Sequence, residues 1–181
     1  MPHGKTLLGH QIEVLAANGV DEVVVVTGFA RQMVEEVVSR VSGIYLRMLY
    51  SPYYTISDKL GTSCIARQEM KTPFLLVNGD TLFEPSIRTQ LLSSDHAYPI
   101  RLAVDHKNYD DDMKISADGA RLNRVGKKLE MGIVTGESAG MMIFNHAGAE
   151  AFVQNVESEE TGLDAYFLRQ LREPLACLAG P

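Results

Sequence analysis

Leu8, Ile12 and Leu15 recur at helical spacing ahead of Asn18-Gly19, which predicts an amphipathic helix over residues 6–18 with a C-terminal stop. Val23-Val24-Val25-Val26 then breaks the period. A continuous β-branched run before Thr27-Gly28 is the pattern of a strand covered on both faces, as in a parallel sheet. Ala30, Met33, Val34, Val37, Val38 and Val41 restore one apolar stripe, with Arg31, Gln32, Glu35 and Glu36 opposite, so a helix follows. Residues 44–49 predict a strand, 51–59 a polar loop, 62–70 a helix and 73–77 another buried strand.

Strand and helix alternating in this way imply right-handed βαβ crossovers on a parallel sheet. The second half changes character. Residues 100–104, 113–116, 121–127 and 138–144 read as short strands, with Asp118-Gly119 as a hairpin signal, and helices over 146–156 and 162–172 close the chain. No internal repeat, low-complexity tract or linker divides it, so residues 1–181 are expected to form a single domain.

Composition narrows the function classes. The chain has 181 residues, a net charge of −6, 45% hydrophobic and 22% charged residues. That excludes a disordered or fibrous chain and argues against a nucleic-acid-binding face. Its two cysteines, Cys64 and Cys177, lie far apart with no histidine at ligand spacing, so neither a zinc site nor a disulfide framework is indicated. No apolar run has the length of a membrane span and residues 1–9 lack a signal-peptide core, so a cytoplasmic protein without membrane contact is expected.

Among candidate chemical groups, Asn78-Gly79-Asp80 follows an apolar strand directly. Ligands of open α/β sheets gather at the carboxyl ends of strands, where one carboxylate can hold Mg²⁺ together with substrate phosphates. The bland alternative is that Asp80 caps the following turn. Leu60-Gly61-Thr62-Ser63 places a glycine and two hydroxyls at a helix start, where backbone N–H groups meet a base edge or an anion, although capping is the commoner role. Asp105, Asp110, Asp111 and Asp112 surround His106 and Lys107, with Lys114 beyond, but lack the spacing of an EF-hand. Arg124-Val125-Gly126-Lys127-Lys128 and Gly136-Glu137-Ser138-Ala139-Gly140 could position a phosphate and a hydroxyl of a polar substrate. The latter spells Gly-x-Ser-x-Gly, yet it precedes an apolar strand where a hydrolase needs a helix. Neither Gly-x-Gly-x-x-Gly nor a P-loop is present.

In order, these pieces resemble the nucleotidyltransferases that join a nucleoside triphosphate to a phosphorylated sugar or alcohol. Gly4-Lys5-Thr6-Leu7-Leu8-Gly9-His10-Gln11-Ile12 is similar to the family's GKPLLEHQI helix, Leu60-Gly61-Thr62 to its LGTAGA turn, and Asn78-Gly79-Asp80 to its metal-binding NGD. Asp105-His106-Lys107, Asp112-Met113-Lys114, Val125-Gly126-Lys127 and Gly136-Glu137-Ser138-Ala139-Gly140-Met141 resemble a narrower branch, the phosphocholine and inositol-1-phosphate cytidylyltransferases.

The resemblance implies a three-layer, Rossmann-like α/β fold with a mainly parallel sheet. It implies transfer of a nucleotidyl group, CTP being the expected donor, to a phosphorylated small molecule with release of diphosphate. Asp80 would hold Mg²⁺, Lys127 would act beside the acceptor phosphate, and Leu60, Gly61, Thr62, Asn78 and Gly79 would contact the nucleotide. Asp105, Lys114, Glu137 and Gly140 would contact the acceptor. The family's first strand, its Gly-rich phosphate loop and its second metal-binding Asp have no counterpart here, and Asp164, in an apparent helix, is a poor substitute. The expectation is a member shortened at both ends, impaired in activity, and self-associating by a swapped element or a paired strand edge. The rival expectations are a non-catalytic nucleotide-binding or assembly module of the same fold and a sugar-1-phosphate nucleotidyltransferase that uses another nucleoside triphosphate.

Overall fold

The computed structural model describes residues 4–56, 59–86, 98–106 and 113–157, with the side chains of residues 59 and 60 left aside. The expected helix over 162–172, Asp164, Cys177, Lys107 and Asp110 to Asp112 lie outside the described residues. The order of elements is α1 (Leu7–Ala17), β1 (Glu22–Thr27), α2 (Arg31–Ser39), β2 (Tyr45–Tyr50), α3 (Lys59–Ala66), β3 (Phe74–Val77), β4 (Ile100–Asp105), β5 (Lys114–Asp118), β6 (Arg121–Gly126) and β7 (Gly136–Phe144). A last helix, α4, covers 146–157.

Local chemistry sets the element ends. Thr6 caps α1 by accepting the Gly9 amide at 3.1 Å, and Asn18 ends it, its Nδ2 donating to the Val14 carbonyl at 2.8 Å before Gly19 turns at φ +78°. The expected helix over 62–70 begins earlier, at Lys59, and its last turn tightens to a 3₁₀ helix over Arg67–Glu69. Asp118 pairs with Arg121, so the hairpin turns through Gly119-Ala120, with Gly119 at φ +57°.

The strands form two sheets rather than the mainly parallel one expected. β1 and β2 pair in parallel, while every pairing in the five-stranded sheet is antiparallel. The reason lies in β7. Phe144 pairs with both Phe74 and Ile100, and Glu137 with both Lys114 and Asp105. β4 therefore flanks one edge of β7 throughout, and β3 and β5 share the other edge end to end. β3 thus finds its partner in a late, antiparallel strand.

α1 bridges the two sheets. Val14 and Leu15 on α1 pack with Phe83 and Met141, joined by Val23 of β1 and by Leu75 and Val77 of β3. On the far face Phe74 stacks on Phe144 with ring centroids 4.4 Å apart, and Phe152 of α4 tilts against Phe144 at 4.9 Å. Buried Cys64 of α3 meets the Val156 carbonyl of α4. Helices thus cover the strand layer above and below. Even so, the valines of β1 and all of β3 are only half-buried, against the expectation of fully buried strands. Among the described residues each is bonded along one edge alone. Arg47 of β2 pins the smaller sheet by donating to Glu22 and Glu69, which raise its pKa above the ordinary arginine value, Glu69 more than Glu22.

Candidate functional site

The apolar run Phe74–Val77 pairs with Met141–Phe144, and the chain leaves the ladder where the Asn78 amide donates to the Gly140 carbonyl at 2.8 Å. Thr81 N then donates to Asn78 O at 3.2 Å, which closes a β-turn with Gly79 and Asp80 at its centre. Asp80 is exposed and, among the described residues, makes no hydrogen bond or ion pair. The carboxylate makes no capping bond to this turn.

Two elements hold this turn. From β7, Gly140 sits at φ +73°, and a Cβ there would lie 2.5 Å from Thr81 Oγ1 and 2.6 Å from Asn78 Nδ2. Only glycine lets the turn lie this close. Thr81 Oγ1 donates to the Ala139 carbonyl at 3.3 Å. From α1, the buried Gln11 Nε2 donates to the carbonyls of Asn78 at 3.0 Å and Thr81 at 2.6 Å. Sequence assigns Gln11 no role beyond its place in the first helix. The signal was there: it stands three residues after Leu8 and four before Leu15, an amide on the apolar face of the helix.

The other end of β7 carries the expected acceptor residues. Asp105, Glu137 and Lys114 lie side by side across β4, β7 and β5, and Gly126 of β6 completes the row. Residues directly opposite on neighbouring strands share a face, so the two carboxylates and the ammonium project together. Glu137 is 2% exposed and Lys114 5%, whereas Asp105 is exposed. Buried opposite charges side by side are the arrangement in which such groups are tolerated. Ser138 N donates to Met113 O at 2.9 Å, two residues from the Gly140 contact with Asn78. The Asp80 turn, held at Gly140, and the Lys114 row, centred on Glu137, are thus about 10 Å apart along the same strand edge.

The remaining candidates lie elsewhere. Lys127 is exposed in the turn after β6, one residue beyond the partner of Lys114. Gly61 and Thr62 fall inside α3, in its first turn, and α3 packs on β1 and β2. Gly61 is buried and Thr62 half-buried. Leu60 lies in the same turn. His106 approaches the Thr135 carbonyl through Nδ1 at 3.2 Å, a contact within the sheet end.

Among the described residues no group of three or more His, Cys, Asp or Glu side chains converges as a metal cage. An unpaired, exposed carboxylate on a fixed turn suits only a metal whose other ligands come from water and substrate phosphates, which is how Mg²⁺ is commonly held. Of the described residues, Asp80 is the one that would contribute to such a site. Among the described residues no helix is long and apolar enough to cross a membrane.

The chain is similar to nucleotidyltransferases in both sequence and fold. It is 26% identical over 179 residues to the CMP-5'-(3-aminopropyl)phosphonate synthase of Streptomyces rubellomurinus (strain ATCC 31215), covering 98% of this chain and 27% of that protein. It thus spans about a quarter of the curated relative it matches. Among solved structures it resembles the inositol-1-phosphate CTP transferase of T. maritima (TM-score 0.67, 19% identity, 78% of this chain and 58% of that one). It also resembles the CTP:phosphocholine cytidylyltransferase LicC of Streptococcus pneumoniae (TM-score 0.65, 14% identity, 90% and 67%). HddC from Yersinia pseudotuberculosis shares the fold as well (TM-score 0.60, 16% identity, 79% and 64%). No family profile matches the chain. Its mixed α/β fold is that of these nucleotidyltransferases.

Proposed function

We propose that the chain carries the acceptor and metal side of a nucleotidyl-transfer site, taking CTP as donor and a small phosphorylated alcohol or an alkylphosphonate as acceptor. The observation that supports this most is β7, which brings the Asp80 turn and the Asp105–Glu137–Lys114 row onto one strand. An oxygen of the acceptor phosphate attacks the α-phosphorus of the nucleotide; a P–O bond forms there as the bond to the departing diphosphate breaks. The requirement is to hold two anions together and neutralise their repulsion. Mg²⁺ bound at Asp80 would supply that neutralisation. Lys127, exposed beside the row, meets the acceptor phosphate, Asp105 and Glu137 accept from its hydroxyl or ammonium groups, and Gly61 and Thr62 approach the base.

The test is diphosphate release from CTP and Mg²⁺ with phosphocholine, inositol 1-phosphate and 3-aminopropylphosphonate offered in turn. Release that Asp80→Asn removes is the expected result. CTP binding by calorimetry with no release from any acceptor would instead mark a nucleotide-binding module without turnover.

A further inference from the structure

We propose that Gln11 is a positioning residue, one that fixes where the Asp80 carboxylate stands by tying both ends of its turn to α1. The turn has two kinds of anchor. At its entrance the Asn78 amide is held by the Gly140 carbonyl at 2.8 Å, independently of Gln11. At its exit the backbone is held by the Thr81 amide on Asn78 O, by the Thr81 hydroxyl on Ala139 O at 3.3 Å, and by Gln11 Nε2 on Thr81 O at 2.6 Å. The second Gln11 hydrogen reaches Asn78 O, the same oxygen that accepts from Thr81.

A side-chain amide has two N–H groups, and here both go to the carbonyls that bracket Gly79 and Asp80. A shorter amide, a hydroxyl or an apolar side chain at this position cannot span them. Gln11 is 4% exposed and its neighbours Ile12, Val14 and Leu15 are buried, so water is poorly placed to replace those bonds. Asp80 itself has no partner among the described residues to fix it. Its placement rests on the backbone, and at the exit Gln11 supplies the shortest of the three bonds that hold that backbone.

The inference rests on the nucleotidyl-transfer reading only for its metal readout, so the test has two arms on the full chain. The first measures amide hydrogen exchange in Gln11→Met. Thr81 is expected to exchange at least about tenfold faster while Asn78, held by β7, stays within about twofold of the native rate. The second compares CTP affinity with and without Mg²⁺. The gain due to Mg²⁺ should fall to the level of Asp80→Asn, with cytidine affinity unchanged. Gln11→Asn, which keeps an amide but withdraws it by one methylene, should give the same pattern and guards against a variant that fails to fold. Native exchange at Thr81 in both variants overturns the proposal. So does an equal rise at Asn78 and Thr81, which would make Gln11 a contributor to stability alone. If the native chain gains nothing from Mg²⁺ while Thr81 still responds, the metal reading fails and the positioning role stands.

Discussion

The valine run of β1 and the Met141–Phe144 half of β7 are equally apolar in sequence, yet they are buried very differently. Met141, Ile143 and Phe144 are buried, whereas Val23 to Val26 are all half-buried. Both strands have helices on their faces. The difference lies in the edges: β7 is bonded on both sides over this stretch, by β3 and β4, and β1 among the described residues on one side by β2. An apolar strand needs neighbours in the plane of the sheet as well as above and below it, because an open edge admits water to its side chains and amides.

The sharpest test of this contrast is a pair of truncations. Phe144→Ala removes a ring stacked on Phe74 and tilted against Phe152 and should cost about 3 to 5 kcal/mol. Val25→Ala in β1 should cost only about 1 kcal/mol, since a half-buried valine loses less apolar area. Equal losses in denaturant unfolding would break the comparison. Next in size is Gly140→Ala, where a methyl at φ +73° overlaps Asn78 and Thr81, for an expected loss of about 1 to 3 kcal/mol. Its unfolding midpoint should drop without a change in slope.

Thr6→Ala removes the cap of the helix that spans both sheets and should cost about 1 kcal/mol, read as a lower Tm. The smallest effect is expected of Asp80→Asn. The side chain is exposed and unpartnered, so stability should stay within about 0.5 kcal/mol while any Mg²⁺-dependent nucleotide binding is lost. A large drop in Tm would show that the carboxylate supports the turn after all.

Much of this was readable in advance for physical reasons that can be named. The helix stop at Asn18-Gly19, the hairpin at Asp118-Gly119 and the strand ending in Asn78-Gly79-Asp80 are local chemistry, set by a few adjacent residues. The antiparallel pairing of β3 with β7 was not readable, because it depends on which distant strand reaches an apolar segment first and that leaves no local pattern. The candidate site divides in the same way. Asp105, Lys114 and Glu137 were each picked out singly, but their alignment in one row is a matter of register between three strands. Gln11 is illegible in the sequence because a glutamine in a helix reads as surface unless the carbonyls it serves are known.

The grip of β7 on the Asp80 turn also has a kinetic consequence. Thr81 and the Ala139 carbonyl it reaches are 58 residues apart in the chain. During synthesis at about 5 to 20 residues per second, α1 and the turn would wait roughly 3 to 12 s before the strand that completes their cradle leaves the ribosome. Over that interval β3 lacks its β7 partner, and its Phe-Leu-Leu-Val run is the segment that a nascent-chain chaperone would be expected to hold.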